Sequence, residues 1–295
     1  MLNNQSKLYQ KRTRSSPRAI YGSESRMRHP LQLFRQMGQD LLASRELAWR
    51  LLVRDISAQY RQSLLGIFWA FIPPIITAVG FTIAKSNGIV NIGNTELPYP
   101  AYVMFSMALW QTFTEALNGP IQAVLSAKSM LARINFPREA LILAKLGEVF
   151  FNFGIKLILI IGLFIWFKIP VTWTILLAPV ALIHLIALGT FIGLVLAPMG
   201  ALYQDIVRGL TLIIGFWLFI TPVVYPIPSD GVFGTIVQLN PVTPLLVTTR
   251  ELATTGVISN PQGFWFASLI AIVGLLLAWI FYRLAMPFVI ERISS

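Results

Sequence analysis

Hydrophobic and polar positions divide the chain into two regimes that meet within RDISAQYRQSLLGIFWAFIPP, residues 54–74. The first half of that stretch is polar and basic. The second half, from Leu64, is almost wholly apolar and runs on to Ala84. Charge stops where a bilayer-length run starts, as at the mouth of a first membrane helix. Beyond it the crossing repeats. Six apolar segments, at about 65–84, 99–117, 141–167, 175–198, 206–224 and 264–286, each approach the roughly 20 residues that span a bilayer.

Upstream the pattern differs. Residues 1–29 are rich in Ser, Lys and Arg, carry too little apolar surface to fold alone, and are expected to form a disordered basic tail. No apolar core precedes residue 64, so no cleavable signal peptide is expected. From about Leu31 an amphipathic pattern emerges. Trp49, Leu52, Val53, Ile56 and Tyr60 follow the three-and-four spacing of one helix face, with Arg50, Arg54 and Arg61 on another. The spacing predicts a helix over 30–63 lying on a membrane surface, apolar side in and basic side toward phosphate. A helix packed on a soluble partner would show the same pattern, but the adjoining span favours the interface.

The loops between segments are unequal. Residues 168–174 and 85–98 are short. Residues 225–262 are long and punctuated by Pro226, Pro228, Pro241, Pro244 and Pro261, so neither half crosses a bilayer. They read as a re-entrant or interfacial hairpin, permissible at membrane depth only if its backbone packs against protein. The expected fold is all-α: a membrane domain over 64–290 with six transmembrane helices, an N-terminal amphipathic interfacial helix and an outer re-entrant hairpin.

Composition supports lipid as the solvent. The 295 residues are 56% apolar and 12% charged, with a mean hydropathy of +0.69, whereas soluble domains carry about 25% charged residues. Lys and Arg set the orientation, because cytoplasmic flanks collect them. With the N-terminus inside, twelve basic residues before residue 63 join Lys128, Arg133, Arg138, Lys145, Arg208, Arg283 and Arg292 on the cytoplasmic side. Lys85, Lys168 and Arg250 fall outside and Lys156 within a span. Both termini are therefore expected in the cytoplasm. The net charge of +11 is concentrated before residue 63, beside the membrane, which points to anionic lipid or a partner rather than nucleic acid.

Chemistry is sparse. Cysteine is absent, which excludes disulfides and thiolate metal sites. There is no cluster of His, Cys and Asp spaced to hold a metal and no pair of closely spaced carboxylates. No GxxxxGK[ST] phosphate loop occurs, so the chain is not expected to hydrolyse ATP. Within spans the notable charges are Glu115, Glu148 and Lys156, with Lys145 and His184 as weaker cases; intramembrane charges are functional candidates by default. Lys145 and Glu148, three apart, suit a pair on one helix face. His184, alone in an apolar stretch, suits hydrogen-bonded packing. Aromatic residues are plentiful, and interfacial belts account for most. Trp69, Tyr102, Phe105, Trp110, Phe216, Trp217 and Tyr225 are the candidates for a substrate path, because rings can stack on sugars without strong site-specific hydrogen bonds.

Five motifs in order complete the reading: RDISAQYRQSLLGIFWAFIPPI at 54–75, INFPRE at 134–139, LYQDIVRGL at 202–210, LFITPVVYPI at 218–227 and LNPVTPLLVTTR at 239–250. Together they resemble the permeases of bacterial ABC exporters for polysaccharides and polyol phosphates, the group that includes O-antigen, capsule and teichoic-acid exporters. The resemblance runs from Arg54 to the C-terminus. It implies a homodimer in the bacterial inner membrane that exports a lipid-linked polysaccharide. Two separate ATP-binding cassette subunits would hold ATP and Mg; no cofactor is expected in this chain. It further implies a coupling segment over 126–139, with Lys128, Arg133, Asn135, Phe136, Pro137, Arg138 and Glu139 facing the ATPase. The helix before the first span resembles the family's gate helix, with Arg54, Asp55, Tyr60, Arg61 and the turn at Gly66. The N-terminal 40 residues exceed what the family needs. The alternatives are a multi-pass membrane enzyme acting on lipid-linked sugars, disfavoured by the missing catalytic constellation, and a drug or small-lipid exporter of similar fold.

Overall fold

The computed structural model describes residues 30–61, 66–133, 136–228 and 231–294, and they are helical without a strand. The chain divides into two units, residues 1–39 and 40–295. Of the first, the described part is the opening of one helix, α1 (Pro30–Ala43). The tail at 1–29 lies outside the described residues. Everything below concerns the second unit.

The chain turns at Ser44, whose hydroxyl donates to the Asp40 carbonyl at 2.6 Å, and continues as α2 (Arg45–Arg61). A 3-10 turn at Gly66–Ala70 leads into α3 (Ile72–Ser86). The apolar segment expected at 65–84 is thus divided. Pro73 and Pro74 occupy the first turn of α3, where a missing N–H costs nothing, so the regular helix starts just ahead of them. Gly66 adopts φ +47°, a left-handed value glycine takes without a Cβ penalty, and no atom crowds the position. The turn itself requires the glycine.

The remaining helices are α4 (Tyr99–Ser126), α5 (Lys128–Arg133), α6 (Glu139–Trp166), α7 (Ala178–Leu202), α8 (Gln204–Phe219), α9 (Gly231–Leu239), α10 (Val242–Ala253) and α11 (Pro261–Ser294). Three have the length and apolarity to cross a membrane: α6, α7 with the 3-10 turn before it, and α11. Helices α9 and α10 meet at 81° around Asn240–Pro241. At 9 and 12 residues, neither alone reaches bilayer length.

Helix α4 is the axis of the unit, with α3, α6 and α7 against it and α11 on the far side of α7. The α4–α7 contact depends on small residues. A Cβ on Gly189 would lie 2.6 Å from the Phe113 carbonyl, and one on Gly193 2.3 Å from that of Leu117. This is the four-residue small-residue spacing that lets membrane helices approach backbone to backbone, where dispersion replaces the hydrophobic drive. By contrast α8 is nearly bare, with Leu210 its one buried side chain among the described residues.

Candidate functional site

A cavity of about 440 Å³ opens between α2, the Gly66 turn, α3, α4 and α6. Helix α4 contributes Gln111, Thr114 and Glu115, a three-and-four spacing that keeps them on one face. Helix α6 contributes Asn152 and Lys156, four apart and facing them. The floor comes from Trp69, Ala70 and Pro73, and Gln59 of α2 stands at the rim. Lys156 is 1% exposed and donates to Glu115 Oε1 at 2.6 Å. Asn152 donates its amide to the other carboxylate oxygen at 3.3 Å. Glu115 keeps about a third of its side chain open to the cavity. A buried lysine is tolerable only with such a partner, since an isolated charge in an apolar medium carries a desolvation cost of several kcal/mol. Sequence singled out both charges but did not pair them across helices. The signal was available: once Lys145 and Glu148 neutralise each other, Glu115 and Lys156 are the opposite charges left at span depth.

Next to this cavity, ionic contacts tie α2 to α6. Lys145 and Glu148 form the expected pair at 2.6 Å, and Lys145 also reaches Asp55 at 3.2 Å. Arg54 closes the chain of charges on Asp55 at 2.7 Å. The packing beneath is tight, because a Cβ on Gly147 would fall 2.8 Å from Leu52. Ala48 and Leu51 are buried, while Trp49 and Val53 remain exposed. The apolar face of α2 is therefore split, one stripe on α6 and one outward. The side chain of Tyr60 and residues 62–65 lie outside the described residues, and Arg61 is exposed.

The segment 126–139 runs from the end of α4 through α5 into α6. Lys128 and Arg138 are half-buried, Pro137 is exposed, and Phe136 is partly buried against the unit's own core. Glu139 is buried and pairs with Arg283 of α11 at 3.4 Å; Arg283 also holds Asp40. Asn135 and the Arg133 side chain lie outside the described residues.

The aromatic candidates separate. Phe105, Trp110 and Tyr102 are buried within the unit; Trp217 packs edge to face on Trp110 at 6.5 Å and on Phe113 at 5.4 Å, and Trp110 and Phe113 meet at a tilt at 5.4 Å. Trp217 donates its indole N–H to Asn240 Oδ1 at 3.0 Å. Trp69 and Phe216 are 58% and 74% exposed. The Tyr225 hydroxyl donates to the Phe219 carbonyl at 2.7 Å, and burial pushes its pKa up to about 12, so it stays a neutral donor. Sequence also missed the environment of Arg250. It is 3% exposed, donates to Ser106 Oγ at 2.8 Å, and lies 4.1 Å from the centre of the Tyr102 ring. Tyr102 in turn donates to the carbonyls of Tyr225 and Pro222 at 2.8 and 3.3 Å.

Long apolar helices, small-residue packing and an ion pair at span depth define a polytopic α-helical membrane protein. The model of the ABC-2 type transporter family matches residues 46–253, and the chain belongs to that family. It is a transporter permease rather than an enzyme. The matched region takes in α2 through α10 and leaves out α1 and α11. Among curated proteins it is similar to the O-antigen export system permease protein RfbA of Myxococcus xanthus, 24% identical over 221 residues, covering 72% of this chain and 82% of the relative. Two proteins of the same name from Klebsiella pneumoniae are 23% and 22% identical over 217 and 229 residues. Those matches cover 70% and 76% of this chain and 79% and 85% of the relatives.

Proposed function

We propose that this chain is the permease half of an ATP-driven exporter that moves a lipid-linked polysaccharide across the bacterial inner membrane. The observation that carries the reading is the similarity, over about 70% of the chain, to permeases named for O-antigen export. Two copies form the pathway, and two separate ATP-binding subunits, holding ATP and Mg, dock on the cytoplasmic side. Six spans cross the bilayer with both termini inside; α3 and α8, though short, take the first and fifth, and the α9–α10 hairpin re-enters from the outer side. The excess of Lys and Arg on the assigned inner loops supports this orientation.

The segment 126–139 receives the ATPase. Closure of the ATPase dimer shifts the permease only as far as contacts there differ between its states. Exposed Pro137 and half-buried Phe136 and Arg138 form the docking surface, while buried Glu139 passes the movement to α11 through Arg283. The glycan path runs along the open aromatics Trp69 and Phe216, with the interior rings of Trp110 and Trp217 stiffening its wall. The test is biochemical. Purified alone, the chain hydrolyses no ATP; co-expressed with its ATP-binding subunit it co-purifies and stimulates turnover, and Phe136→Ala weakens that association. Robust hydrolysis by the isolated chain would overturn the reading.

A further inference from the structure

We infer that the cavity between α2, α4 and α6 is a recognition site for a neutral, hydroxyl-rich ligand, that is, for one or two sugar units. This rests on the exporter reading and adds to it a fixed binding point on the protomer. Three features carry the inference. First, the charges lining the cavity cancel: Glu115 and Lys156 form one pair at 2.6 Å, and no further charged side chain lines the wall among the described residues. An anionic phosphate group would need net positive charge to offset its dehydration, and a cation net negative. Neither is present. Second, the polar wall consists of planar groups, the Glu115 carboxylate and the amides of Gln111 and Asn152, beside the Thr114 hydroxyl. The carboxylate accepts and the amides both accept and donate, a combination that matches vicinal hydroxyls. Third, Trp69 lines the floor with more than half of its surface open, an apolar platform of the kind a sugar ring covers.

Lys156 is a positioning residue in this arrangement. At 1% exposure it does not reach the ligand; it fixes one carboxylate oxygen and leaves the other edge of Glu115 toward the cavity. Asn152 steadies that second oxygen at 3.3 Å, a long contact that a ligand hydroxyl can share. Affinity here should be modest, because a polymer in transit must also leave.

The chain's lack of cysteine makes the test direct. A single Ala70→Cys substitution places a thiol on the cavity floor without touching the polar wall. In lipid nanodiscs its reaction with a membrane-impermeant maleimide is timed with maltoheptaose, cellopentaose or mannopentaose, and with inorganic pyrophosphate as the anionic control. For a dissociation constant of about 1 mM, about 10 mM sugar slows labelling roughly tenfold. At least one sugar protects, pyrophosphate does not, and protection disappears when Gln111→Ala or Trp69→Ala is added. Lys156→Met also abolishes it, and Lys156→Arg restores part, which mere loss of packing would not do. Protection by none of the sugars, equal protection by pyrophosphate, or protection that survives Gln111→Ala and Trp69→Ala would overturn the inference. So would a thiol that never reacts. Because this assay needs neither ATPase nor transport, it reads the cavity even if the exporter assignment fails.

Discussion

The α9–α10 hairpin (the cap) and the α2 end are built on opposite terms. In the cap, buried polar groups are for the most part hydrogen-bonded, with Thr243 Oγ1 and Arg250 Nε as exceptions. Asn240 alone accepts from Trp217 and the Val242 amide and donates to the Ile220 carbonyl and Thr221 Oγ1, all within 3.2 Å. Nearly every side chain of α10 is buried. At the α2 end the helix is largely exposed, and its ties to α6 are a short apolar stripe and the Arg54–Asp55–Lys145–Glu148 chain of charges. Buried, satisfied networks have one good arrangement and resist shear. Partly exposed ion pairs contribute little to stability and exchange partners at small cost. One end is packed tightly and the other is tied loosely. In the exporter proposed above, that contrast would let the α2 side move while the α9–α10 hairpin holds its place.

The largest expected effect lies in the cap. Arg250→Ala removes the donor to Ser106 and the cation over Tyr102, at a cost of about 3 kcal/mol in stability. Thermal unfolding in detergent should fall accordingly, and proteolysis within 225–262 should accelerate. An unchanged melting temperature would mean that the cap is not held by this network. A smaller effect on stability is expected at the α2 end. Asp55→Asn breaks the tie to Lys145 while leaving the Lys145–Glu148 pair, so stability changes by less than about 1 kcal/mol. Transport should nonetheless suffer, with ATP turnover retained and export slowed. Exchanging the charges, Asp55→Lys with Lys145→Asp, should recover part of the loss. Export at the parental rate in Asp55→Asn would remove the distinction between the two ends.

Much of the fold was legible in the pattern. A helix overlaps each of the six apolar segments, and the prolines of 225–262 bound two short helices of 9 and 12 residues that meet at 81°. The Lys145–Glu148 pair followed from spacing along one helix, and His184 does bond locally, its Nδ1 lying 2.7 Å from the Val180 carbonyl. What escaped depends on which helices are neighbours. Glu115 and Lys156 are 41 positions apart and Arg250 and Ser106 144 apart, so no periodicity joins them. The division of α2's apolar face was hidden for a related reason. Trp49 and Leu52 share one stripe by spacing, yet the missing side chain at Gly147 admits Leu52 and leaves Trp49 outside. Aromatic bulk was equally ambiguous, since Trp69 and Trp110 look alike in sequence while one is open and the other 3% exposed.

The most direct measurement is transport itself. The chain, purified with its ATP-binding subunit, is reconstituted into vesicles with a fluorescent lipid-linked glycan. A membrane-impermeant glycosidase or lectin then reports which leaflet holds the sugar. The account predicts ATP-dependent movement of the glycan away from the ATPase side, abolished when the ATPase is catalytically inactive. Glycan that stays on the ATPase side while ATP is hydrolysed at the stimulated rate would contradict it.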